Sequence, residues 1–261
     1  MLKLRLTPRH SMYETVIYIM KMKSLKPEIR DISEIELKEL EGWGIRSYDE
    51  IIYKYVSYDT FYKIIENGSL YYSTSDKFND PFDSTNEFLD FTIDNEKHLE
   101  KIGADFFFKF LSSEGGKNSV LTDEQNNELL SNLSLSLSKT FEELKGKIGI
   151  SCFSKHYNNQ LMWSHYADKH KGVCIGFKFK NFQNYIQKSV GYFDSITPIN
   201  QLNHEVLSIY KWLFAKSRVW SYENEIRRIK IDQTGLIPFE KDEIVELYFG
   251  ISFLKQIRLP P

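Results

Sequence analysis

The stretch Gly172-Val173-Cys174-Ile175-Gly176-Phe177 runs six residues without a charge. An uninterrupted apolar run of that length reads as a strand buried on both faces, at the centre of a sheet. Two other runs have a related character. Residues 51–56, Ile-Ile-Tyr-Lys-Tyr-Val, combine β-branched and aromatic side chains, and residues 148–153, Ile-Gly-Ile-Ser-Cys-Phe, repeat the signal. Residues 70–74 and the patterned region 218–231 also read as strands. Ser57 or Asp59 caps a helix through Phe61, Ile64 and Ile65 that stops at Asn67-Gly68, and a second helix is expected over about 159–169. The order is strand, helix, strand, insertion, strand, helix, strand, helix, strand, which predicts an α+β fold. A glycine-rich phosphate loop and a regular βα repeat are both missing from the sequence, which excludes the doubly wound class.

The flanking segments have another composition. Residues 1–50 mix charges with scattered apolar positions, and 31–40 reads as a short helix with Ser33 able to cap it. Residues 88–147 carry an acidic and lysine-rich helical pattern, the Gly115-Gly116 break and a serine–leucine alternation over 129–137. The expected organisation is an N-terminal helical extension, 1–50, and a single α+β domain, 51–261, with a helical insertion at about 88–147. Lysine and arginine number 34 against 36 aspartates and glutamates, so nucleic-acid binding would need a local site rather than a basic face. No apolar run reaches the length needed to cross a bilayer and no signal peptide is read, so no membrane partner is expected. Cys152 and Cys174 sit among apolar residues, as a reducing compartment allows, and the expected location is cytoplasmic.

Four segments carry chemistry. In the first, alternation along a strand sends Tyr53 and Tyr55 to one side and Lys54 to the other. Lys54 with the hydroxyls of Tyr72-Ser73-Thr74-Ser75 could grip a phosphate or ribose, or could simply snorkel from an edge strand. In the second, Phe78-Asn79-Asp80-Pro81-Phe82, the Asx residues fix a tight turn that two phenylalanines plug into the core, and Asn79 or Asp80 is placed to touch a ligand. In the third, Trp163 and Tyr166 share a helix face with His170, while Met162 and His165 lie on an adjacent one. Such a pair could wall a flat-ring pocket or pack against a sheet. The spacing of His156, His165 and His170 does not place them on one face, so no metal is expected. In the fourth, Trp220-Ser221-Tyr222-Glu223-Asn224-Glu225-Ile226-Arg227, a strand would set Glu223, Glu225 and Arg227 on one face. Paired carboxylates can then stabilise a cationic centre and bind a hydroxyl or act as base; the alternative is a solvated row of alternating charge.

Together, Lys54-Tyr55, Asn67-Gly68, Phe78 to Phe82, Cys152-Phe153-Ser154, Met162 to Ala167, His170 to Phe177 and Trp220 to Arg227 resemble a bacterial family known as domain of unknown function 2971, over about residues 53–253. That family's order of motifs is similar to that of ADP-ribosyltransferases, including DNA-modifying toxins. The resemblance implies a mixed, mainly antiparallel split sheet with flanking helices, and NAD as substrate. It implies a toxin or phage-defence role with a nucleic-acid or protein acceptor. Glu225 would be the catalytic glutamate and Glu223 its companion. Lys54 and Tyr55 would take the first position, where those enzymes carry Arg or His. Trp163 and Tyr166, or alternatively Ser73 and Ser75, would form the nicotinamide wall. A nuclease or hydrolase built around His165, Asp80 and the glutamates is a weaker reading. The alternative to an enzyme is a non-catalytic nucleotide-binding sensor or interaction module of a bacterial defence system.

Overall fold

A computed structural model describes residues 32–93, 98 and 123–252. Most of the expected N-terminal extension and the Gly115-Gly116 break lie outside them. In chain order the described elements are α1 (Glu34–Gly42), β1 (Ile52–Val56), α2 (Tyr58–Asn67), β2 (Ser69–Tyr72), β3 (Leu89–Asp90), α3 (Asp123–Lys145), β4 (Gly149–Ser154), α4 (Gln160–Tyr166) and β5 (Val173–Phe177). There follow β6 (Tyr185–Ser189), β7 (Gly191–Phe193), β8 (Ile199–Asn200), α5 (Glu205–Phe214), β9 (Ala215–Ser217), β10 (Glu225–Lys230), β11 (Gly235–Pro238) and β12 (Ile244–Phe249). Among the described residues no helix is long and apolar enough to cross a membrane.

The chain gathers into two compact units. One comprises Met1–Ser33, Leu89–Glu142 and Pro198–Ile209. Its described part holds most of α3, the short parallel pair β3–β8 with Leu89 opposite Ile199, and the Phe91 and Phe141 rings 5.6 Å apart. The serine–leucine alternation of 129–137 is thus helical, as expected of the insertion, whereas β3 was not foreseen there.

The other unit comprises Glu34–Phe88, Glu143–Thr197 and Tyr210–Pro261 and carries a six-stranded sheet in the order β12-β5-β1-β4-β10-β6. Every pairing in that sheet is antiparallel, so it is not mixed; among the described residues parallel pairing is confined to β3–β8 and β7–β9. The charge-free run at 172–177 becomes β5, flanked on both sides, and all five of its residues are buried. One sheet face packs Ile52, Val56, Phe153, Val173, Ile175, Phe177 and Ile226 against Ile64 of α2, with Leu70, Tyr72 and Ile237 from the β2–β11 pair. Side chains of this type contribute about 1.5–3 kcal/mol each when fully buried.

Local chemistry sets the ends of the elements. Ser57 caps α2 by accepting from the Thr60 amide, and Gly68 closes the helix in the left-handed conformation at φ 55°. Gly172 is required for space, because a Cβ there would stand 2.1 Å from the Val56 carbonyl oxygen. The helix expected over 159–169 is shorter. Asn159 caps it, it ends at Tyr166, and Asp168, Lys169 and His170 all take left-handed φ values of 44°, 52° and 66°. His170 therefore does not continue the Trp163–Tyr166 face.

One seam in the sheet positions the site. β1 and β5 pair along five residues, but β1 and β4 share one rung, Tyr53 opposite Ser154. The next rung, Tyr55 with Cys152, is not made; the lower half of β4 turns instead to Ser73, which exchanges backbone bonds with Ile150. Into the seam reaches Lys54, whose Nζ donates to the Cys152 carbonyl at 2.9 Å and to Ser151 Oγ at 3.0 Å.

Candidate functional site

Antiparallel register puts directly paired residues on one face, so Tyr53, Tyr55, Cys152, Glu225 and Arg227 share the face opposite the core. There a cavity of about 240 Å³ lies along the seam. Its walls include Tyr53, Tyr55, Cys152, Met162 and Tyr166, with Phe78, Asn79, Asp83, Lys216, Glu223 and Glu225.

Its polar wall is a buried charge cluster. The Lys216 ammonium lies 2.6 Å from Glu223 Oε2, 3.0 Å from Glu225 Oε2 and 3.6 Å from Asp83 Oδ2. Arg227, fully buried, donates through Nε to Glu225 Oε1 at 2.8 Å, through Nη2 to Asp83, and through Nη1 to Ser84 Oγ and the Leu213 carbonyl. Its guanidinium lies 5.3 Å from the centre of the Phe78 ring. Burial alone would raise the Glu225 carboxyl, but Arg227 and Lys216 outweigh it and hold the group well below the usual carboxylate range. Desolvation would lower Lys216, and Glu225, Asp83 and Glu223 reverse that and keep it charged. Tyr166 donates to Glu223 Oε1 at 2.5 Å and accepts from Asn79 Nδ2 at 3.3 Å; burial and the Glu223 bond push its phenol up. The Glu225 amide donates to Tyr192 Oη at 2.8 Å, which anchors the start of β10.

The segment 218–231 is not one strand. Arg218–Glu223 is a 3-10 helix, Asn224 turns left-handed at φ 45°, and β10 begins at Glu225. Glu223 therefore reaches Lys216 from a turn rather than from the shared strand face, while Glu225 and Arg227 do share one. A residue other than Gly at positive φ is favoured when it is Asn, and that was the signal available in Glu-Asn-Glu.

The other expected site residues divide. Lys54 and Tyr55 belong to the cavity's lining, Lys54 on the seam and with its pKa lowered by burial. Tyr55 donates its hydroxyl to the His156 carbonyl at 2.7 Å. Met162 and Tyr166, at i and i+4, line the cavity together. Trp163 instead packs edge-on to Tyr55, ring centres 5.3 Å apart, with its indole donating to the Tyr157 carbonyl. His165 is exposed beside Tyr222 and does not line the cavity. Ser73 pairs through its backbone with Ile150, and Ser75 is buried; neither lines the cavity.

Asn79 lines the cavity, whereas Asp80 is a turn residue whose Oδ1 accepts from the Phe82 amide at 3.0 Å. That turn delivers Asp83, whose amide donates to the Asp80 carbonyl. Phe82 does not plug the turn into the core, being 69% exposed; Phe78 alone turns inward. Asp83 and Lys216 were not singled out by sequence, and nothing in their local pattern marks them. Among the described residues no group of three or more His, Cys, Asp or Glu side chains is disposed to hold a metal.

The fold and site define an α+β protein with a small cavity on an antiparallel sheet, walled by tyrosines and a buried carboxylate–cation cluster. A family model described as "Protein of unknown function (DUF2971)" matches residues 162–228, and that segment is similar to it. The match runs from Met162 of α4 to Arg228 of β10 and takes in Tyr166, Lys216, Glu223, Glu225 and Arg227. It is narrower than the 53–253 span of the motif resemblance and does not reach Asn79 or Asp83. No curated protein and no solved structure matches the chain.

Proposed function

We propose that the cavity holds the ring and ribose of an NAD-type nucleotide, and that the protein cleaves the nicotinamide–ribose bond as an NAD glycohydrolase or ADP-ribosyltransferase. The observation that carries the reading is the convergence of Asp83, Glu223 and Glu225 on one wall of a tyrosine-lined cavity. Departure of nicotinamide takes the bonding electron pair and leaves positive charge on the anomeric carbon. Carboxylates fixed in that wall stabilise the charge. Glu225, held ionised, acts here as an electrostatic stabiliser and not as a proton acceptor. Water or an acceptor hydroxyl or amine then bonds to the anomeric carbon and gives its proton to bulk water. At about 240 Å³ the cavity lies below the usual range for whole ligands, which suits a ring and sugar but not a complete dinucleotide.

A second reading, a non-catalytic nucleotide-binding module, is favoured by one specific observation. Glu223 and Glu225 each have both oxygens engaged by Tyr166, Lys216 or Arg227, so neither is a ready base. The discriminating experiment incubates the protein with NAD, with DNA, RNA and cell lysate each supplied as acceptor source, and measures free nicotinamide. Glu225→Gln and Tyr166→Phe serve as controls, with folding followed by circular dichroism. Release that falls in folded variants supports the enzyme. NAD binding without release supports the module. A toxin or phage-defence role adds the expectation that expression arrests bacterial growth and that Glu225→Gln does not.

A further inference from the structure

The cavity has a neighbour. Tyr53, part of its lining, also lines an open depression of about 430 Å³ whose other walls include Tyr48, Glu50, Lys155 and Lys178. The two differ in charge. In the cavity wall Asp83, Glu223 and Glu225 are matched by Lys54, Lys216 and the buried Arg227, whereas in the depression two ammoniums face one carboxylate. Lys155 is the informative group. Its Nζ lies 5.3 Å from the centre of the Tyr48 ring, and among the described residues neither it nor Arg46 belongs to an ion pair. Burial lowers the Lys155 pKa, Arg46 lowers it further, and Glu50 opposes both. Lys178 donates to the Asp49 carbonyl, a neutral acceptor that leaves its charge unmatched. Cations held near one another without a bound carboxylate gain most from an anion that arrives from outside.

We infer that this depression is an anion subsite continuous with the cavity, and that it takes the phosphate of a nucleotide whose ring and sugar enter the cavity past Tyr53. The inference rests on the glycosidic reading above and names its substrate class: a bipolar molecule, cationic at the ring and anionic at the phosphate. A phosphate-free nucleoside would use one lobe only. Because the lysines stand at a surface depression and the carboxylates in a buried wall, the two lobes are separable by mutation.

The test is a calorimetric titration of the full chain at low salt with nicotinamide riboside, nicotinamide mononucleotide and inorganic pyrophosphate. It is repeated with Lys155→Glu/Lys178→Glu, whose folding is checked by thermal melting. The mononucleotide, which differs from the riboside by one phosphate, is expected to bind about tenfold tighter or more, the scale of a charge-assisted hydrogen bond. The double variant is expected to lose that preference, and pyrophosphate binding with it, while keeping its affinity for the riboside. Equal binding of riboside and mononucleotide, a preference that survives charge reversal, or no binding of any probe overturns the inference. Pyrophosphate binding abolished by the variant, without nicotinamide release from NAD, removes the glycosidic chemistry and leaves the subsite. Nicotinamide release from NAD that is indifferent to both reversals removes the subsite and leaves the chemistry.

Discussion

Replacing Lys216 by Met tests the buried cluster directly, because the two side chains are close in volume and only the charge is lost. At an effective dielectric constant near 20, ion pairs of 2.6 and 3.0 Å correspond to about 6 and about 5.5 kcal/mol of gross attraction. Desolvation and the nearby Arg227 offset part of it, yet removing one partner strands the others. Glu225 and Asp83 would then share the Arg227 guanidinium and Glu223 would keep only the Tyr166 hydroxyl, and breaking a buried pair in this way costs about 3–5 kcal/mol. The deficit should depend on pH. In the parent, Glu225 titrates below its unfolded value of about 4.3. Its contribution is therefore fully present above about pH 4.3 and is lost as pH falls through the folded value. In Lys216→Met a proton taken up by the carboxylate cluster relieves the excess negative charge, so the deficit narrows between pH 7 and pH 5. Urea unfolding followed by tryptophan fluorescence measures both quantities; Trp220, whose ring centre lies 5.1 Å from the Lys216 ammonium, is a nearby reporter. A deficit under about 1 kcal/mol at pH 7, or one identical at pH 5, would refute the account of the cluster.

Other substitutions probe separate links. Tyr166→Phe removes a hydroxyl bonded to a buried carboxylate and should cost about 1.5–3 kcal/mol in urea unfolding; no loss would mean that water replaces the phenol. Gly172→Ala places a methyl against the Val56 carbonyl and should cost about 2–3 kcal/mol, read as a lowered Tm. Ser57→Ala removes the α2 cap for about 1 kcal/mol, and Ser57→Asp should largely keep it; a loss equal to that of Ala would count against the capping role.

The strands at 51–56, 148–153 and 172–177 were legible because β-branched and aromatic runs have few other uses, and Ser57, Asn67 and Gly68 marked the ends of α2 by cap chemistry alone. The opposed directions of Lys54 and Tyr55 followed from alternation. What sequence could not supply was the seam, since a ladder that stops after one rung leaves no mark in either strand. Residues 218–223 imitate a strand because Trp, Ser, Tyr and Glu alternate there, while the backbone winds into a 3-10 helix that only the turn at Asn224 betrays. Asp83 and Lys216 are single charges beside apolar neighbours, a pattern shared with countless solvated positions. Asp83 gains its role by being folded onto Arg227 from 144 residues away, and Lys216 by the turn that brings Glu223 and Glu225 back onto it.

The seam also bears on how the sheet moves. β12, β5 and β1 form one laced block and β4, β10 and β6 another; between them the backbone ladder has a single rung, supplemented by Lys54, by the Tyr55 hydroxyl and by the shared core. Along that line the two blocks are joined by side chains more than by backbone, so the cavity sits where the ladder contributes least. A molecule lodged beside Tyr55 and Cys152 supplies the lateral cohesion the backbone leaves out, so the amides at that edge should exchange with deuterium more slowly when it is occupied.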